Sequence, residues 1–422
     1  MEKNEPIRII FMSNSPTFIT GYAKVIKEIS QRLSNDSQFQ IWVVGEQYSG
    51  MPMKYGTFTL MARRDGGNDL VNAYLEQIKP HYFVWLEDTF TMTRGGVDSF
   101  KFPPITKFVV YIPQDGEFIP TTGHNALKRA DIIIPMAQFS KEVTEREGFK
   151  CTDAIYHGVD FKLFTPAIDA RDKIEARKHL GLKEEDFIVL YVGRNSARKL
   201  NQELLETFAR FAIDKDDVKL VAHVNGFTAA ENHLPDFIAR CLPIRHGSKF
   251  KDLLGKKILF NPRAQSLQMG ATEKEMAVLY RAADIYFSAA SGEGFGMPLT
   301  EAMSTQIPVA AVDFTTTKEL IIDERDGIKA RGLGIKPITK WTGSFNVAHA
   351  IIDQEDGIRV LNELYENPEL RKEMGLNGRK FVLKYCDWDI LVDQWKQIFI
   401  ENRSKFNKEY IENQKKNKKI RK

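Results

Sequence analysis

Short apolar runs alternate along the chain with stretches whose apolar residues recur every three or four positions. The first runs are Ile7–Met12, broken only by Arg8, then Ile41–Gly45, Phe83–Leu86, Phe108–Ile112 and Ile132–Met136. Each is too short for a helix and too continuous for a strand with one wet face, which predicts strands buried on both sides of a parallel sheet. Between them lie helical patterns: Ala23–Leu33, with Ile26, Ile29 and Leu33 on one face, then Asp69–Ile78 and Lys141–Glu147. After a charged helix at Arg171–Leu180 the alternation resumes, with strands predicted at Phe187–Val192, Val218–Val224, Ala282–Ala290 and Pro308–Val312. The later helices are Asn201–Phe211, one opened by the capping box Thr272-Glu273-Lys274-Glu275, Val347–Tyr365, Pro368–Tyr385 and Ile390–Glu401. Met276, Leu279, Tyr280 and Ala283 are the buried stripe of the capped one. Thr315–Glu319 reads as a loop at a strand end, and Cys241–Ala264, basic and irregular, as an insertion. The whole is an α/β pattern, in which ligands sit beyond the carboxyl ends of the strands.

One such end is Gly292 to Met303, Gly-Glu-Gly-Phe-Gly-Met-Pro-Leu-Thr-Glu-Ala-Met. A strand precedes it, and Pro298 suits a first helical turn. The amides of Phe295, Gly296 and Met297 are therefore expected free at a helix N-terminus, an anion site. Gly294 and Gly296 carry no Cβ, so a ligand can approach the backbone. Glu293 and Glu301 bracket the turn and are acceptors for hydroxyl groups. Together these features call for a ligand with a diphosphate in the middle and a sugar at each end.

A second strand end, Gly193-Arg194-Asn195-Ser196-Ala197-Arg198-Lys199, places three cations before the helix at Asn201. Cations are unfavourable at the positive end of a helix dipole, so an anion is expected there too. In the first half, Glu87-Asp88 and Pro113-Gln114-Asp115-Gly116-Glu117 are the strand-end loops with usable chemistry. Asn225, ending the Val218–Val224 strand, is a further candidate for ligand contact.

The run from Glu293 to Glu301 resembles the Glu-x7-Glu signature of the retaining glycosyltransferases with the GT-B fold. The resemblance implies two doubly wound Rossmann-like domains facing a cleft. It implies a hinge where Gly158-Val159-Asp160 and Phe164-Thr165-Pro166 stand, and a last helix that crosses back to brace the first domain. The expected division is 1–164 on the acceptor side, 165–385 on the donor side, a return helix at 386–403 and a basic tail at 404–422. The implied donor is a nucleoside-diphosphate sugar, with no cofactor and no metal. Glu293 would contact the donor sugar, Phe295, Gly296 and Met297 the diphosphate, and Glu301 the ribose, with Leu299 a further donor-binding residue. Arg194 and Lys199 match the pair that neutralises the diphosphate. Gly21 matches a glycine that faces the donor from the first domain. Family members often have a histidine near the acceptor, where this chain has Asp115, which becomes the candidate for the acceptor side. His157, in the hinge, reads as structural.

The net charge of +4 is misleading, because eight basic residues and two acids follow Ser404. That end contributes +6, leaving about −2 for the rest, so the body lacks the basic character of a nucleic-acid binder. The tail reads as a solvated end, or as an electrostatic anchor for anionic lipid at the inner membrane surface. Three scattered cysteines argue for a reducing compartment, and no secretory signal or bilayer-length apolar run is read. A cytoplasmic glycosyltransferase acting on a glycan, lipid or protein is the expectation. A nucleotide-sugar 2-epimerase and a non-catalytic sugar-nucleotide-binding protein are the alternatives.

Overall fold

The structure, a computed structural model, describes residues 5–63, 67–224, 233–265, 270–342 and 347–403. Asn225 and the basic tail lie outside the described residues. The first apolar runs form β1 (Ile7–Ser13), β2 (Phe39–Gly45), β3 (Met53–Tyr55), β4 (Phe58–Ala62), β5 (Tyr82–Leu86), β6 (Lys107–Ile112) and β7 (Ile132–Pro135). They make one sheet in the order β3-β4-β2-β1-β5-β6-β7, parallel except for β3. β3 and β4 were not expected. β3 is almost wholly exposed and leaves no apolar pattern to read. A two-residue turn joins it to β4, with Gly56 at φ 61°, the left-handed geometry such hairpins require.

The second sheet contains β8 (Phe187–Val192), β9 (Val218–His223), β10 (Ile258–Phe260), β11 (Ile285–Ser288), β12 (Val309–Val312) and β13 (Gly332–Ile335). Its order is β10-β9-β8-β11-β12-β13, all parallel. The stretch Cys241–Ala264, read as an insertion, therefore contributes an edge strand, and it sends Leu242, Phe250 and Leu253 into the second core.

Two further expectations fail. Thr315–Ile321 is a helix, because packing beneath the sheet overrides the poor helix propensity of three threonines. Val347–Tyr365 is not one helix. It begins as β15 (Ala348–Ile352), antiparallel to β14 (Pro337–Thr342). The helix starts only at Gln354, where the Asp353 carboxylate accepts from the Glu355 and Asp356 amides.

Residues 388–403 form the last helix. It lies on the first sheet, with Trp395 4.9 Å from Tyr111 and 6.1 Å from Phe11 in ring-centroid distance. The Tyr82 hydroxyl donates to the Phe399 carbonyl at 2.7 Å. At Gly158 a Cβ would lie 2.3 Å from the Trp388 ring, so the chain crosses between the sheets only through a glycine. No helix of the described residues is long and apolar enough to cross a membrane.

Trp395 is 1% exposed and joins three aromatic side chains of the first sheet and its own helix. Trp395→Ala is expected to cost about 3–5 kcal/mol in chemical denaturation, and Trp395→Phe clearly less. A loss below about 1 kcal/mol would show that the crossing helix is not part of this core.

Candidate functional site

Gly296 ends the turn after β11 with φ 91° and ψ 52°, a left-handed conformation that favours glycine, and Met297–Ser304 forms the following helix. Among the described residues, the amides of Phe295, Gly296 and Met297 donate to no protein acceptor. The side chains of this stretch point elsewhere. Phe295 is buried against His157 at 4.6 Å and Tyr156 at 5.6 Å, and Leu299 is buried in the core, so each can offer only backbone to a ligand. Met297 lies beside Gly21, where a Cβ would stand 3.6 Å from its sulfur. Gly21 itself is the first residue of the helix Gly21–Ser34 rather than a loop residue, with Thr20 as the cap.

The other glycines serve a different purpose from the expected ligand access. A Cβ on Gly292 would lie 1.9 Å from the Asp115 carbonyl oxygen, and one on Gly294 would lie 2.5 Å from Pro113. These glycines let the loop after β11 touch the loop after β6.

Glu293 is 7% exposed and its carboxylate is held by Arg198 at 3.2 Å and by Lys199. Burial pushes its pKa up, but the two cations outweigh that and hold it below the usual carboxylate range. Its amide donates to the Thr315 hydroxyl at 3.0 Å. Thr315 has φ 53°, a strained value for a β-branched residue. Arg198 also reaches Asp115, Nε to Oδ2 at 2.9 Å, and the Gly292 carbonyl. Burial raises the Asp115 pKa and Arg198 lowers it, with the net effect downward. Burial pulls the Lys199 pKa down, and the neighbouring Arg198 adds to this against the pull of Glu293.

Direct contact therefore falls to Arg198 and Lys199. Arg194 is exposed and forms no ion pair among the described residues, although its charge still favours ionised Asp88. The cause is a turn at Ala197–Lys199 whose Arg198 carbonyl accepts from both the amide and the hydroxyl of Ser291 at 2.9 Å. That pins Arg198 to the glycine-rich stretch. Spacing from the strand end could not have chosen between the two arginines.

Glu301, one helical turn in, accepts from Lys24 at 3.0 Å and from the Tyr280 hydroxyl at 2.9 Å. Lys24 belongs to the helix Gly21–Ser34, and Glu301 together with Glu273 raises its pKa despite burial. Sequence reading also missed Glu319. Its carboxylate accepts from the Gln138 and Phe139 amides at 3.0 and 2.7 Å and from the Tyr156 hydroxyl, capping a first-sheet helix from the second sheet's side. His157 is buried with both ring nitrogens unpartnered, and burial lowers its pKa to about 3, so it is a neutral packing group. At the far wall of the cleft, burial raises the pKa of Glu87 and of Asp88, and Asp88 accepts from the Tyr22 hydroxyl at 3.2 Å. Among the described residues, no group of three or more His, Cys, Asp or Glu could hold a metal ion.

The family profile for glycosyl transferases group 1 matches residues 172–381. A D-inositol 3-phosphate glycosyltransferase of Geodermatophilus obscurus is 29% identical over 182 residues, which is 42% of this chain and 36% of that protein. The chain spans 34% to 60% of the length of such curated relatives. Among solved structures, sucrose-phosphate synthase from Thermosynechococcus elongatus has a TM-score of 0.71 at 17% identity, covering 94% of this chain and 99% of that one. An Anabaena protein crystallised with UDP-glucose has a TM-score of 0.66 at 17% identity, covering 94% and 99%. At these identities the likeness establishes the fold, two Rossmann-like parallel-sheet domains in the GT-B arrangement.

The raised carboxylates of Glu87 and Asp88 make stability depend on pH. The folded state holds their protons more tightly than the unfolded chain, so their contribution is full below the ordinary carboxylate range and is lost as pH rises through the raised values. Melting temperature is expected to fall as pH rises from mildly acidic to alkaline, and Glu87→Gln should flatten that slope. An unchanged slope in the variant would rule out Glu87 as its source.

Proposed function

We propose, on the premise that this chain belongs to the group 1 glycosyl transferases, that it moves a sugar from a nucleoside-diphosphate sugar to an acceptor hydroxyl with retention of configuration. The observation that carries the proposal is the Glu293 carboxylate, clamped by Arg198 and Lys199 beside the unpaired amides of residues 295–297. Free amides at a helix entrance, next to a carboxylate that two cations hold, suit a diphosphate with a sugar hydroxyl beside it.

In this reading the amides, Lys199 and Arg198 bind the diphosphate, with the exposed Arg194 adding charge at the cleft mouth. Gly21 faces them from the first domain. Glu301 keeps free lone pairs beyond those taken by Lys24 and Tyr280, enough to accept from ribose hydroxyls. Asp115, ionised and fixed by Arg198, orients the acceptor hydroxyl. The acceptor oxygen attacks the anomeric carbon on the face from which phosphate departs. The new carbon–oxygen bond forms, the bond to phosphate breaks, and the acceptor proton passes to the leaving phosphate oxygen. Negative charge then grows on a group already surrounded by cations and amides, which is where electrostatic catalysis acts. We assign 1–164 to the acceptor side and 165–385 to the donor side. None of the relatives named above is an epimerase, so no observation favours that alternative.

A thermal-shift screen against UDP-, GDP- and ADP-sugars tests the donor class, with UDP-sugars first because the Anabaena protein holds UDP-glucose. A matching donor at 100 times its Kd should add about 2.7 kcal/mol of stability. Glu293→Gln is expected to lower turnover roughly 10–100-fold, through loss of one charge-assisted hydrogen bond, with nucleotide affinity changed little. Unaltered turnover in that variant would remove Glu293 from the reaction.

A further inference from the structure

We infer that the β14–β15 hairpin walls an acceptor subsite in which Trp341 is the platform for the C–H face of a sugar ring. The inference rests on the glycosyl-transfer reading of the cleft. The hairpin is a separate two-stranded sheet, and it joins the two loops that form the site. The Ala350 amide donates to the Ser291 carbonyl at 2.9 Å, and the Ala348 carbonyl accepts from the Glu117 amide at 3.1 Å. Lys340 pairs with Glu117, and a Cβ on Gly116 would lie 2.3 Å from Val347. The hairpin thus closes the side of the cleft next to Asp115.

Trp341 lies directly opposite His349 in the hairpin register, so both side chains share one face. Their rings are 5.7 Å apart at 37°. His349 is 9% exposed, and its Nε2 is 3.4 Å from Asp115 Oδ1. Its Nε2 is thus turned to the carboxylate, and its Nδ1 has no hydrogen-bond partner among the described residues. A buried polar ring beside the candidate acceptor carboxylate, with one ring nitrogen unpartnered, suits a hydroxyl-bearing ligand. Trp341 is 36% exposed at the outer end of the same row. The row therefore runs indole, imidazole, carboxylate, from an apolar face to two hydroxyl-binding groups. That sequence of chemistries fits a pyranose, whose ring C–H groups stack on an aromatic face while its hydroxyls meet polar side chains.

Saturation-transfer NMR on the whole chain with UDP present tests this. The probes are methyl α-D-glucopyranoside, methyl α-D-mannopyranoside, methyl β-D-galactopyranoside and octyl β-D-glucopyranoside, each with wild type, Trp341→Phe and Trp341→Ala. UDP affinity is measured by calorimetry and folding by melting temperature in all three. Ring C–H signals are expected from at least one glycoside with wild type and Trp341→Phe, and glycoside affinity should fall roughly five-fold or more in Trp341→Ala. UDP affinity should stay unchanged. UDP binding with no glycoside signal in wild type, or with equal signals in Trp341→Ala, overturns the subsite and leaves the transferase reading standing. Transfer confined to the octyl chain overturns the choice of a sugar ring. Failure of UDP and of every sugar nucleotide to bind wild type overturns the transferase reading and this inference with it.

Discussion

A carboxylate as buried as that of Glu293 is stable only if its charge is matched. Arg198 and Lys199 supply the match, and the geometry around them follows from that need. Arg198 spans Glu293 in one domain and Asp115 in the other, so the interaction that compensates the buried acid also joins the walls of the cleft. Its backbone is tied to Ser291, which keeps the cationic turn after β8 in register with the glycine-rich turn after β11. The network holds acids and bases in near balance, and the amides of residues 295–297 are left without a protein acceptor among the described residues.

The same logic recurs along the interface. Lys24 of the first domain compensates Glu301 of the second, and Glu319 of the second domain caps a helix of the first. Removing one member of such a pair leaves a buried charge or orphaned amides, so the domains are coupled through electrostatics as well as through packing. Gly292 and Gly294 permit this closeness, because any side chain there would strike the loop at Pro113–Asp115. The crossing region relies instead on apolar packing, with neutral His157 between Tyr111 and Phe295 and with Trp395 over the first sheet.

Much of this was legible along the chain. Continuous apolar runs gave most of the parallel strands, because a strand buried on both faces needs no polar alternation. The Glu293–Glu301 stretch was readable because a strand, a turn of glycines and a proline specify local geometry without reference to the rest of the molecule. β3 was lost because its residues are mostly exposed, β10 because its apolar run is only three residues long, and Thr315–Ile321 because its helix depends on burial rather than propensity.

The sequence by itself determined the α/β class, the free amides at a helix entrance and the residue types around them, since these depend on neighbours a few positions apart. Only the tertiary structure decided that Arg198 rather than Arg194 clamps Glu293, that Asp115 joins the same network, and that a hairpin whose second strand was expected as helix stands beside it. Those outcomes depend on which side chains of distant segments meet across a cleft, and charge pairing between such segments leaves no periodicity in the chain.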